Sequence, residues 1–217
     1  MKCLCVPGLA CSSDIFEAAA EHLPGLSVHA VDWPLPERIT TMDATAFWVA
    51  EQIEATGAEV VIGHSLGGLA ALHLYAIAPE RMTARLFIAD TFLAGPHPMF
   101  RNFLWQPPQP LEARVHQMLD TLRPKFPVLR EAVMGFEETP TWREAALKSG
   151  AIFIYGGRGG EVSDDELARR AGIPEGATNT VHVVPGTSHF LMLEAPEAFY
   201  GHIREAVQAS DQGVEGG

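Results

Sequence analysis

The chain has 217 residues, enough for one ordinary domain with a real core and too few for two independent ones. Its 15 Lys+Arg against 27 Asp+Glu give a formal net charge of −12, which repels a phosphate backbone, so nucleic acid is excluded as an expected partner. With 47% apolar and 19% charged residues, the composition is that of a packed globular protein.

Met1-Lys2 and the apolar residues up to Cys11 superficially resemble a lipoprotein leader. Only eight residues separate Lys2 from Cys11, one of them Pro7, which is marginal for a secretory apolar region and gives no separate charged segment. No apolar run reaches the ~18 to 20 residues that span a bilayer, so no membrane span is expected. Lys2–Val6 instead reads as a first strand, stopped by Pro7-Gly8. Ser13-Asp14 is placed to cap a helix over residues 15–23, and residues 27–31 form a second strand ended by Pro34 and Pro36. Asp43 caps a second helix that carries Phe47, Val49 and Ile53 to a stop at Gly57, and residues 59–62 make a third strand. The third helix, residues 65–78, is apolar nearly all round, as a helix buried against a sheet should be, and Pro79 closes it. Arg85–Ala89 is the fourth strand.

Residues 92–150 break the alternation with many prolines and weak helical pieces such as 111–122, and read as an inserted cap. The series then resumes with a strand at 151–155, a helix at 163–171, a strand at 180–184 and a final helix at about 196–208, leaving 210–217 as a frayed tail. Strands separated by helical crossovers predict an α/β fold: a mostly parallel sheet with helices on both faces, in a single domain over 1–217. Cys3, Cys5 and Cys11 are an odd set, with Cys3 and Cys5 on one strand face and poorly placed to bridge. They read as buried thiols in a reducing compartment, which gives a cytoplasmic expectation.

Gly63-His64-Ser65-Leu66-Gly67, followed by Gly68, fits G-x-S-x-G directly after a strand and at the opening of a helix. The turn is tight, so a Cβ at the flanking glycines would meet the adjacent strand and helix. It lifts Ser65 Oγ to the carboxyl edge of the sheet, where the Leu66 N–H at the helix start can stabilise a developing oxyanion. The structural alternative is a glycine-rich turn with an incidental serine. Serine needs a base. Of the nine histidines, His22, His73 and His202 fall in helices, His29 and His182 in strands, His64 in the turn itself, and His97 and His116 in the cap. His189 follows the last strand in Pro185-Gly186-Thr187-Ser188-His189-Phe190, at the same edge as Ser65, and is the best base.

The chain at this point resembles the α/β-hydrolase family. Gly-His-Ser-Leu-Gly-Gly at 63–68 is similar to that family's nucleophile elbow, and residues 185–199 are similar to its histidine loop and final helix. Val6-Pro7-Gly8-Leu9 resembles the loop that supplies the second oxyanion N–H, with Pro7-Gly8 in place of the usual His-Gly. The resemblance covers essentially the whole chain, starting near the family's third strand. It implies an α/β-hydrolase fold with a helical cap between late strands, and Leu9 and Leu66 as the oxyanion donors.

Family members place the carboxylate that orients the base after one of two strands. After the strand before the last, Gly156-Gly157-Arg158-Gly159-Gly160-Glu161 lacks the expected Asp, while Ser163-Asp164-Asp165-Glu166 is a capping box that accounts for its own carboxylates. At the end of the fourth strand, Asp90 leaves an apolar strand for a buried edge where an imidazole N–H would suit it. Asp90 is preferred, with Glu161 and Asp164 as the alternatives.

In the cap, Met99, Phe100, Phe103, Leu104, Trp105, Met118, Met134, Phe136 and Trp142 either form an apolar acyl or aromatic pocket or pack the cap onto the sheet. Arg101, Arg114, Arg123 and Arg143 are placed to meet an anion or are solvated helix faces. The expected activity is a serine hydrolase cleaving a small or medium carboxylic ester through an acyl-enzyme, with Ser65, His189 and Asp90 as its triad and a small-molecule substrate as its partner. No cofactor or metal is called for, because H-x-x-x-H and C-x-x-C spacings and a phosphate-binding glycine fingerprint are lacking. A thioesterase, a C–C hydrolase or a cofactor-free dioxygenase on the same site stays open, as does a non-catalytic hydrolase-like ligand receptor.

Overall fold

Short apolar runs alternate with longer helical ones, and the computed structural model describes residues 1–93, 111–125, 140–157, 163–176 and 181–214. The runs become six strands: β1 Lys2–Val6, β2 Ser27–Ala30, β3 Val60–His64, β4 Arg85–Ala89, β5 Ile152–Gly156 and β6 Val181–Val184. They form one sheet in the order β2-β1-β3-β4-β5-β6, every neighbouring pair parallel. The chain steps from β1 outward to β2, then returns to the other side of β1 as β3. The reversal opens a crevice between the carboxyl ends of β1 and β3, where open parallel sheets bind ligands.

Alternation along β1 shows how the two faces are filled. Leu4 and Val6 point into a core shared with α2 (Met42–Thr56), α3 (Leu66–Ile77) and the segments that follow β4. Cys3 and Cys5 point into the opposite core, shared with a 3-10 turn at Ser13–Phe16, α1 (Ala19–His22) and the C-terminal helices. Both strand faces are thus apolar, the pattern of a sheet covered on both sides. All three cysteines are free and buried.

Between β4 and β5 the described residues hold α4 (Leu111–Leu122) and α5 (Pro140–Lys148). They attach to different faces: Val115 of α4 joins the core of Cys3 and Cys5, whereas Trp142 of α5 is buried against α3 and donates its indole N–H to His73 Nδ1 at 2.8 Å. Trp142 is therefore a packing residue. The last elements are α6 (Asp164–Ala171), α7 (Leu191–Glu194) and α8 (Pro196–Val214). Among the described residues no helix is long and apolar enough to cross a membrane.

Three local expectations are corrected. The helix predicted over 15–23 is instead the 3-10 turn and the four-residue α1. Ile15 and Phe16 both bury against the sheet, and the Ile15 and Glu17 N–H groups bond back three residues, to Ser12 O at 3.3 Å and Asp14 O at 3.2 Å, instead of four. The cap of α2 is Thr41, whose hydroxyl accepts the Ala44 N–H at 3.1 Å, while Asp43 sits in the first turn and binds His73 Nε2 at 2.6 Å. The final helix runs on to Val214, where a frayed tail is expected from 210, because no Pro or Gly interrupts it between Gly201 and Gly213.

Candidate functional site

The pairing of β3 with β4 brings the first two candidate residues together. His64 lies opposite Ala89, so Ser65 and Asp90 are the next residues to leave two adjacent parallel strands at one level. Both turn through left-handed backbone, Ser65 at φ 50° and Asp90 at φ 44°, which costs an L-residue energy and is held only by what surrounds it. The Ser65 N–H donates to Ala89 O at 2.9 Å, the Asp90 N–H to Ile154 O at 2.9 Å, and the Thr91 hydroxyl to Ser65 O at 3.0 Å. The neighbouring glycines are required by space. A Cβ on Gly67 would stand 2.3 Å from Val6 O, and one on Gly68 would stand 2.2 Å from Thr91 Oγ1. Leu66 opens α3, so its N–H lies in the first turn, where no intrahelical acceptor exists.

Asp90 is wholly buried and uses both carboxylate oxygens: Oδ1 accepts the Gly156 N–H at 3.1 Å, and Oδ2 meets His189 Nδ1 at 2.6 Å. An ionised carboxylate only accepts, so the proton on His189 lies at Nδ1 and Nε2 keeps the lone pair. A pair of this kind fixes one imidazole tautomer and stabilises the cation when a proton arrives. The histidine loop is tied on either side of His189. The Glu194 carboxylate accepts from Ser188 N–H at 2.7 Å, Ser188 hydroxyl at 2.6 Å and Phe190 N–H at 3.1 Å. His64 Nε2–H donates to the His189 carbonyl at 2.9 Å, and the two rings lie 4.5 Å apart. His64 is fully buried. Desolvation first, then the neighbouring His189, pushes its imidazole down to about 3 against the opposing pull of Asp90 and the carbonyl hydrogen bond, so it stays neutral near pH 7.

Leu9 belongs to the loop leaving β1 beside Ser65. A Cβ on Gly8 would be 3.1 Å from Ser65 Cβ and 2.9 Å from His64 Nδ1, so only glycine lets this backbone lie so close. The Cys11 N–H closes a turn onto Gly8 O at 3.1 Å, and Trp33 Nε1–H reaches the same oxygen at 2.8 Å. Cys11 is not suited to act as a nucleophile, since burial pushes its thiol up to about 12 despite the lowering effect of a backbone hydrogen bond.

The remaining histidines are occupied elsewhere: His22 with Glu197, His29 with Ser27, His73 with Asp43 and Trp142, and His182 stacked on His202. His116 lies 3.8 Å from Glu112. Of the alternative carboxylates, Glu161 lies outside the described residues. Asp164 opens α6, where Ser163 caps by accepting the Glu166 N–H at 3.2 Å. Met99, Phe100, Phe103, Leu104, Trp105, Met134, Phe136, His97 and Arg101 also lie outside the described residues. Arg114 is taken by Glu17, with a guanidinium contact at 2.8 Å.

A cavity of about 320 Å³ opens under α4, lined by apolar Ile15, Val115, Met118, Leu122 and Leu193 and by polar Ser12, Asp14, Arg114, Gln117 and Thr121. It does not include Ser65, Asp90 or His189, but Ser12 and Leu193 lie only three and four residues along the chain from Leu9 and His189. Among the described residues no group of three or more His, Cys, Asp and Glu side chains converges as a metal site would. Sequence reasoning missed the ties made by Glu194, Thr91 and Trp33. Only Glu194, in the segment resembling a histidine loop, carried any signal.

A sequence profile described as the alpha/beta hydrolase family matches residues 3–201. No curated protein matches the chain by sequence. Among solved structures, an esterase from Rhodococcus sp. ECU1013 is 17% identical, with a TM-score of 0.70 over 96% of this chain and 90% of that one. A thermophilic esterase is 17% identical, with a TM-score of 0.70 over 95% of this chain and 89% of that one. An N-acyl homoserine lactonase variant complexed with N-hexanoyl homoserine is 19% identical, with a TM-score of 0.68 over 96% of this chain and 88% of that one. At these identities the likeness is one of fold.

Proposed function

The chain belongs to the alpha/beta hydrolase family, and we propose that it is a serine hydrolase cleaving a small or medium carboxylic ester. The observation that carries this reading is the 2.6 Å contact of His189 Nδ1 with Asp90, at the sheet edge where Ser65 leaves the neighbouring strand on a left-handed turn. Ser65 Oγ attacks the ester carbonyl while His189 Nε2 takes its proton, and Asp90 stabilises the imidazolium. The carbonyl oxygen, now anionic, accepts the N–H groups of Leu66 and Leu9. Collapse breaks the ester C–O bond, His189 returns the proton to the leaving alcohol, and a water deprotonated by His189 then clears the acyl group from Ser65.

Residues 92–150 serve in this reading as a cap on a single domain. The apolar side of the cavity under α4, formed by Ile15, Val115, Met118, Leu122 and Leu193, supports an apolar acyl or aromatic substituent on the substrate. Free, buried thiols suit a reducing, cytoplasmic setting.

A fluorophosphonate probe tests the chemistry. We expect one label per chain, located on Ser65 by peptide mass spectrometry, abolished by Ser65→Ala and strongly slowed by His189→Ala. A folded wild-type protein that takes no label would sink the proposal. Turnover of p-nitrophenyl esters of increasing acyl length, alongside an N-acyl homoserine lactone, would define the substrate, since a lactone is a cyclic ester and one of the similar structures is a lactonase.

A further inference from the structure

The peptide that joins Gly8 to Leu9 is held from outside its own loop. Gly8 O accepts the Cys11 N–H at 3.1 Å, closing a four-residue turn in which Ala10, the third residue, has φ 58°. Left-handed backbone at that position, and not at Leu9, is the pattern of a type II turn, and leaves the N–H of the second residue outside the turn's own hydrogen bond. The same Gly8 oxygen accepts a second bond, from Trp33 Nε1–H at 2.8 Å. Trp33 lies beyond β2, packs against Trp48 of α2 with ring centroids 5.0 Å apart, and is half-buried on the core. The adjacent Asp32 accepts the Ser13 N–H at 2.6 Å, so the segment after β2 grips the loop at both ends.

A trans peptide is planar, with its C=O and N–H pointing in opposite directions. Whatever fixes the Gly8 carbonyl therefore fixes the Leu9 N–H. Turning the peptide plane over would take the N–H away from its direction, and would also deprive both the indole and the Cys11 N–H of their acceptor. Beside Gly8 there is no room for even a Cβ, which would stand 2.9 Å from His64 Nδ1 and 3.1 Å from Ser65 Cβ. We infer that Trp33 is a positioning residue of the active site: by holding the Gly8 carbonyl, its indole N–H aims the Leu9 N–H at the oxyanion formed on the substrate. This rests on the serine-hydrolase reading and assigns a role to a side chain outside the triad and its two donors.

The test separates positioning from stability through Leu9 itself. Proline is favoured at the second position of a type II turn, so Leu9→Pro removes the donor while keeping the turn. Deleting one oxyanion donor costs on the order of 10²–10³ in kcat, which sets the ceiling. Trp33→Phe keeps a ring against Trp48 and drops the N–H, and is expected to lower kcat for p-nitrophenyl butyrate by about 10- to 100-fold at little-changed KM, within that ceiling. Affinity for a trifluoromethyl ketone, which forms an oxyanion on Ser65, should fall in parallel. In the Leu9→Pro background the same Trp33→Phe change should have almost no further effect on kcat. Should Trp33→Phe fold poorly, β-(3-benzothienyl)alanine introduced at position 33 keeps the indole shape without the N–H and reads the same quantities. A kcat within twofold of wild type, or an equal loss in both backgrounds, overturns the inference. A wild-type protein that fluorophosphonate does not label overturns the serine-hydrolase reading first, and is told apart by that result.

Discussion

Replacing Asp90 by Asn removes a charge with almost no change of shape, and the surroundings dictate the outcome. Asn tolerates left-handed backbone nearly as well as Asp does, so the φ of 44° is kept. The carboxylate, however, takes Gly156 N–H on one oxygen at 3.1 Å and His189 Nδ1 on the other at 2.6 Å, and an amide has only one oxygen to offer. If the oxygen stays on Gly156, the amide NH₂ faces His189. The ring must then accept at Nδ1 and carry its proton at Nε2, where it cannot take one from Ser65. The opposite amide orientation sets NH₂ against the buried Gly156 N–H, at a cost of about 1–3 kcal/mol. The wrong tautomer is thus favoured by roughly 5- to 150-fold on this ground alone, at about 1.4 kcal/mol per decade. Losing the carboxylate's stabilisation of the imidazolium adds the rest, and the expected fall in kcat is about 10³–10⁴, or roughly 4–5.5 kcal/mol of barrier. Steady-state hydrolysis of a p-nitrophenyl ester reads the effect, with urea unfolding as the check on folding. With Asp90 as the acid, Glu161→Gln and Asp164→Asn should each leave kcat within about twofold. Asp90→Asn retaining more than a tenth of wild-type turnover, or Glu161→Gln losing as much as expected here, would refute the assignment of the acid.

Two further outcomes concern the scaffold. His64 excludes its proton in the fold, with a pKa of about 3 against 6.5 outside it, so its contribution is complete above pH 6.5 and is lost as pH falls towards 3. Urea midpoints should therefore drop more steeply over that window in wild type than in His64→Gln, by up to about 1.4 kcal/mol per pH unit. Parallel slopes would remove His64 from the account of acid sensitivity. Gly67→Ala drives a methyl to 2.3 Å from Val6 O and 2.7 Å from Pro7 O, backbone atoms that carry the Gly8 loop, and should destabilise by about 3 kcal/mol or more. Gly150→Ala, at φ 64° with open space around it, should cost only about 1–2 kcal/mol, so equal thermal shifts in the two variants would show that sterics at the elbow are not what selects glycine.

What was legible in the sequence was whatever is encoded by neighbours. Strands show as apolar runs with punctuation, and their ends give the residues that leave them: Ser65 after β3, Asp90 after β4, His189 after β6. Parallel pairing with His64 opposite Ala89 then suffices to put Ser65 and Asp90 side by side. The start of α2 was not legible, since Thr41 and Asp43 are both capping residues, and a tertiary partner, His73, claims the second. Nor was the break in the first helix, where two adjacent apolar side chains bury together against the sheet and tertiary packing overrides local periodicity.

The wiring that holds the site was illegible for a different reason: it is made of single hydrogen bonds between segments remote in sequence. Trp33 reaches Gly8, His64 reaches the His189 carbonyl 125 residues away, and Asp90 reaches across to Gly156. No spacing encodes such bonds, because each depends on the strand order more than on either local pattern. The same dependence gives them a shared consequence. The left-handed backbone at Ala10, Ser65 and Asp90 all lies along one sheet edge, and each of these turns is held by a bond that crosses between strands or loops: Trp33 to Gly8, Thr91 to Ser65, Gly156 to Asp90. Strain of order 1–2 kcal/mol per residue would be relaxed if the edge were assembled singly. It persists because β1, β3, β4 and β5 register against one another, so the geometry of the edge is a property of the assembled sheet and not of any one motif within it.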